Sequence, residues 1–128
     1  MLFRSQTLNT PGTKRGLGVS LSNLGDLARE RGDAEQALAY FEESLDIHRE
    51  LAQILGTPEA KRNLSVSLMG LGVMAHERGD AEQALAHFQE SLDIRHELLR
   101  IQNTLQDCKA VFVLEAEIAV MKALIHQE

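Results

Sequence analysis

Five histidines, one cysteine and 19 carboxylates are the groups in this 128-residue chain that could do chemistry. The available chemistries would be metal ligation, nucleophilic attack and proton transfer. Their spacing argues against all three. A zinc-protease helix needs two His one turn apart with a Glu between them. His96-Glu97 and His48-Arg49-Glu50 have no second His one turn away, His87 and His96 stand nine apart, and His76 is alone on its segment. All five read as surface or groove-lining side chains, and no metal site is expected. Cys108 has only Lys109 as a basic neighbour. A catalytic thiol needs a base and a depressed pKa, so Cys108 reads as a half-buried structural residue. Gly16-Leu17-Gly18 lacks the preceding strand and the third Gly of a phosphate loop. No catalytic residue, cofactor-binding residue or cofactor is expected, and the chain does not read as an enzyme.

The carboxylates have simpler explanations. Glu30, Glu42, Glu43 and Glu77 sit on solvated helix faces, and Asp33 and Asp80 are placed to cap helices. The net charge of −6 is uneven, with five basic and two acidic groups in residues 1–31 but eight basic and 17 acidic in 32–128. That balance argues against a nucleic-acid partner, which requires clustered Lys and Arg. Residues 1–10 carry no secretory pattern. The apolar stretch Val111 to Ile125 is broken by Glu115, Glu117 and Lys122, so no membrane span is expected. A single Cys excludes an intramolecular disulfide and suits a reducing, cytoplasmic setting.

The elements that position these groups come from a repeat. Residues 10–56 recur as 57–103 with about 30 of the 47 positions identical, most densely in Gly32-Asp33-Ala34-Glu35-Gln36-Ala37-Leu38-Ala39 against Gly79-Asp80-Ala81-Glu82-Gln83-Ala84-Leu85-Ala86. Such a period signals a stacked helical array, which normally offers a binding surface. Each unit reads as two helices. Thr10-Pro11 and Thr57-Pro58 start the first. Gly32-Asp33 and Gly79-Asp80 make the turn, with Asp80 and Gln83 spaced as a capping box. Leu38, Phe41, Leu45 and Leu51 line the second helix of unit one, and Leu85, Phe88, Leu92 and Leu99 that of unit two, which stops near Asn103. Gly12, Gly16 and Gly18 weaken the first helix, so fraying is expected before Val19. A fifth helix, roughly Leu105 to His126, aligns with the first helix of a third unit. The organisation is therefore an N-terminal extension (1–9), two repeats (10–56 and 57–103) and a terminal helix (104–128).

Leu24-Gly25, Gly32, Ala37, Phe41 and Ser44 in unit one, with Leu71-Gly72, Gly79, Ala84, Phe88 and Ser91 in unit two, resemble tetratricopeptide repeats. In length and in the Ser-Leu-Asp-Ile run the units are similar to the long-helix repeats of kinesin light chains. The resemblance implies an all-α, right-handed solenoid of antiparallel helix pairs. The units depart from the pattern by lacking its closing Pro and by carrying Leu21, Leu68, Ala28 and Ala75 where larger first-helix residues are usual.

The resemblance also implies a function: a protein-interaction adaptor or scaffold whose first helices line a concave groove for a peptide or helix. The groove residues would be Ser22, Asp26, Arg29, Val66, Met69, Val73 and His76, with core packing as the other reading of Met69 and Val73. The chaperone-tail clamp of some relatives is not expected, because Ser22, Asp26, Met69 and Val73 stand where that mode uses Lys, Asn and Arg. The terminal helix is apolar on nearly every side, so the alternative is a self-association module. Phe112, Ile118, Met121 and Ile125 would then hold a homodimer.

Overall fold

The computed structural model describes residues 10–127, and the expected extension at 1–9 lies outside them. Five helices follow one another: α1 (Pro11–Glu30), α2 (Ala34–Leu55), α3 (Pro58–Glu77), α4 (Ala81–Ile101) and α5 (Leu105–His126). There is no strand among the described residues. The first helix of each unit begins the same way. Thr10, Thr57 and Thr104 each accept a hydrogen bond from the backbone N–H three residues on, at 3.2 Å in all three cases. Asp33 and Asp80 cap α2 and α4 likewise, at 3.1 and 3.0 Å.

The turns close as the glycines require. Gly32 and Gly79 have φ of 82° and 83°, a left-handed conformation that L side chains resist. The Asp33 and Asp80 N–H groups then reach back to the Ala28 and Ala75 carbonyls, both at 2.9 Å. That bond changes one detail of the sequence reading. The Asp80 N–H is already used, so Gln83 does not complete a capping box; its side-chain oxygen accepts from Arg78 instead. Asn103 lies in the short link beyond α4, which ends at Ile101.

Every helix packs on its neighbours in sequence, and α1 also touches α3. Two apolar clusters result. Ala28, Ala37, Phe41, Leu71 and Met74 join α1, α2 and α3; Ala75, Ala84, Phe88, Leu92, Leu114, Ile118 and Met121 join α3, α4 and α5. Phe41 lies between two glycines, since a Cβ added to Gly25 or to Gly70 would come within 2.9 Å of its ring. Phe88 meets Gly72, where an added Cβ would be 2.5 Å away. Burying each ring contributes roughly 1.5–3 kcal/mol, provided the glycines let it in. No helix among the described residues is long and apolar enough to cross a membrane.

Three expectations need correction. The helix is regular from Pro11, without a break before Val19. Gly18 in its middle is a packing residue, because a Cβ there would lie 2.7 Å from the His48 ring. His48 is accordingly not a surface side chain: it is 2% exposed, and its Nδ1 lacks a hydrogen-bond partner. Burial lowers its pKa, partly offset by a hydrogen bond with the Gly18 backbone. Cys108 is exposed and not half-buried, and its thiol donates to Asn103 Oδ1 at 3.3 Å.

Two stability measurements test this packing. Gly16 has open space around its missing Cβ, so Gly16→Ala should stabilise the chain by about 0.5–1 kcal/mol in urea unfolding. Gly18→Ala should instead destabilise it by about 1–3 kcal/mol through overpacking against His48. For His48 itself, the folded pKa lies below the ordinary 6.5. Its contribution to stability is therefore complete above that value and declines as pH falls below it. In His48→Leu, the part of the urea-midpoint decline between pH 7 and 5 due to this group should vanish.

Candidate functional site

The first helices α1, α3 and α5 occupy the same position in successive units. They surround a cleft of about 350 Å³. Ser22, Asp26 and Arg29 enter it from α1, and Val66, Met69 and Val73 from α3. Six of the seven groove residues expected from sequence thus converge. The seventh, His76, lines a different and larger hollow of about 630 Å³ with Asp80, Leu124 and Ile125, at the turn between α3 and α4. The cleft also includes Phe41, Gly70, Arg95, Gln106 and Ala110, which the sequence reading missed. Repeat register would not have supplied Gln106 and Ala110, because their counterparts 47 positions earlier, Glu59 and Asn63, do not line the cleft.

The α1 wall of the cleft is polar and its α3 wall is apolar. Ser22 Oγ lies 2.6 Å from Ser44 Oγ, and Arg29 Nη1 donates to Glu77 Oε2 at 3.3 Å. Asp26 is exposed and has no ion-pair partner among the described residues. Met69 and Val73 are half-buried against the α3–α5 core and also line the cleft. Val66 is 44% exposed and offers its side chain freely. Val113 and Val120 follow Val66 and Val73 by 47 positions and are exposed on α5, outside the cleft lining.

The face expected on α5 is only partly available. Ile118 and Met121 are corrections: they are 6% and 0% exposed and belong to the core beneath Phe88 and Leu92. Ile125 is half-buried. Phe112 does face solvent, at 76% exposure, together with Leu105, Val113, Val120 and Leu124.

A buried charge cluster holds α5 as the third wall of the cleft. Asp107 is fully buried and accepts from Arg62 Nε and Nη2 at 3.1 and 2.9 Å, from Arg95 Nη1 at 2.7 Å and from the Thr104 hydroxyl at 2.8 Å. Arg95 Nε also donates to Ser65 Oγ at 2.8 Å. These bonds tie α3, α4 and α5 together at one point. The hydrogen bonds from Arg62 outweigh burial and hold the Asp107 carboxyl well below the usual carboxylate range. Sequence spacing gave no sign of the cluster, because its three ionic members come from three separate helices. Among the described residues, no group of three or more His, Cys, Asp or Glu is placed to hold a metal ion.

An array of antiparallel helix pairs repeated at a fixed period defines a helical-repeat protein. The family model for the tetratricopeptide repeat matches residues 17–53 and 64–100, more than half of the sequence, and the chain belongs to that family. Repeats of this family generally mediate protein–protein interaction and are typically non-enzymatic. No curated protein and no solved structure matches the chain.

Removing the shared acceptor should loosen α5. Asp107→Ala leaves the buried Arg95 and the half-buried Arg62 without their shared partner and should cost about 3–5 kcal/mol in chemical unfolding. Asp107 has a folded pKa below its ordinary 3.8, so its contribution is complete above that value and is lost progressively as pH falls from it to the lower folded pKa. The variant should be less stable at pH 7 and should lose the acid dependence that this carboxylate supplies.

Proposed function

We propose that this chain is an adaptor or scaffold segment that binds a peptide or a helix of another protein in the cleft between α1, α3 and α5. The observation that carries the reading is the convergence of an unpaired carboxylate, Asp26, with an exposed apolar side chain, Val66, in one concave site. A cleft of about 350 Å³ is at the small end of ligand cavities, which run from about 300 to 1,000 Å³. It suits one or two anchoring side chains of a longer segment. The partner would be amphipathic, placing an apolar residue against Val66 and Met69 and a basic residue beside Asp26. Net charge of −6 favours such a partner over nucleic acid, and an unpaired Cys108 fits a cytoplasmic setting.

The test is peptide selection against the whole chain, followed by mapping of the selected peptides by amide chemical shifts. Shifts should centre on Ser22, Asp26, Val66 and Met69. Val66→Glu, at an exposed position, should weaken binding about tenfold or more without loss of helicity, whereas Val73→Glu would also disturb the core. Peptides that map elsewhere, or that bind Val66→Glu unchanged, would overturn the reading.

A further inference from the structure

The outer face of α5 differs from its counterparts in a way that specifies what can cover it. In α1 the buried residues are Gly18, Leu21, Gly25 and Ala28, and α2 covers this face with His48 and Phe41. Their counterparts 47 positions on in α3, Ser65, Leu68, Gly72 and Ala75, are buried as well, with Ser91 and Phe88 of α4 against them. In α5 the same positions are Phe112, Glu115, Ala119 and Lys122, and all four are exposed. A helix of the repeat type laid there would meet a phenylalanine where the array needs Gly or Ser. It would also bury two charges that have no ion-pair partner among the described residues.

A second copy of α5 meets both requirements. Phe112, Ala116, Ala119 and Ala123 follow the four-and-three spacing of a coiled-coil seam and all are exposed, with Lys109 at the seam position before them. We propose that two copies of this chain associate through α5, packed antiparallel about a two-fold axis between Ala116 and Ala119. In that register Ala116 faces Ala119 of the second copy, and small side chains let the backbones approach. Phe112 faces Ala123 of the second copy, so large meets small. On one flank Glu115 comes beside Lys122 of the second copy, and the symmetry makes the pair twice. On the other flank Val113 meets Val120 of the second copy. A parallel arrangement would set Phe112 against Phe112 and place Glu115 beside Val120 of the second copy, with no complement for either. Each subunit thereby covers the face for which the repeats use their second helix. Ala110, which lines the peptide cleft, lies on the other side of α5, so this association does not depend on the cleft.

Sedimentation equilibrium of the full chain across a wide concentration range provides the test. The wild-type chain should show a monomer–dimer equilibrium. Glu115→Lys and Lys122→Glu each replace two attractions with two repulsions and should raise the dissociation constant about tenfold or more. The double swap, Glu115→Lys with Lys122→Glu, re-forms both pairs with reversed sign and should restore the wild-type constant. Both positions are exposed, so circular dichroism should show unchanged helicity in all three variants. A monomer mass at every concentration would overturn the proposal. So would a dimer indifferent to the single swaps, or single-swap losses that the double swap does not repair.

Discussion

A phenylalanine ring seated where two helices lack Cβ atoms is the contact on which the array depends. Phe41 projects from α2 onto Gly25 of α1 and Gly70 of α3, so one side chain sets the spacing both within a unit and between units. Helices normally pack with axes 8–10 Å apart, and the lower end is reached only when the residues between them are small. Replacing either glycine would push the ring away and transmit a shift to the next unit, because a close-packed interior has little room to absorb it. Phe88 repeats the contact with Gly72, but the counterpart of Gly70 in α5 is Glu117. The second junction therefore cannot rest on glycine on both sides of its ring.

The two junctions are also built from different polar groups. At the first, Ser44 donates to the Gly18 carbonyl and lies 3.1 Å from Ser67, while His48 closes over Gly18. At the second, Arg95 stands where His48 was, Ser65 where Gly18 was, and Asp107 where Ala60 was. The exchanges are consistent with one another. A hydroxyl at Ser65 gives Arg95 an acceptor, and Asp107 gives it a counter-charge. An arginine at position 48 would find an α-carbon at Gly18 and a methyl group at Ala60. Each junction is satisfied by its own set and would be left with unpaired polar groups by the other.

The repeat made most of the fold legible, because two copies of one pattern mark which positions matter. The caps at Thr10, Thr57, Asp33 and Asp80 and the turns at Gly32 and Gly79 follow from residue type alone. Six cleft residues could be placed because first-helix positions recur at a fixed interval. What stayed hidden lies where the copies differ. His48 and Arg95 look like exposed polar residues on amphipathic helices, and only the neighbouring helices show that each is buried. Ile118 and Met121 were misplaced for a related reason. A helix apolar on every side carries no periodic signal of which side is inward, and here the answer came from Phe88 and Leu92 across the junction.

The buried charges also bear on how the cleft keeps its shape. Apolar faces of Leu, Ala and Met could hold α5 against α4 in more than one register, since sliding by a turn exchanges one greasy contact for another. Arg62 and Arg95 cannot slide in this way. Each needs the carboxylate of Asp107, and moving α5 by one turn, about 5.4 Å, would leave both guanidinium groups without it. The geometry therefore favours one register strongly over its neighbours, whatever the net stability of the ion cluster against an apolar replacement. Gln106 is next to Asp107, and Ala110 follows one turn later, so the same bonds fix the third wall of the cleft. The polar cluster defines position and the apolar core supplies most of the adhesion, which is why a site lined mainly by ordinary side chains can hold a defined shape.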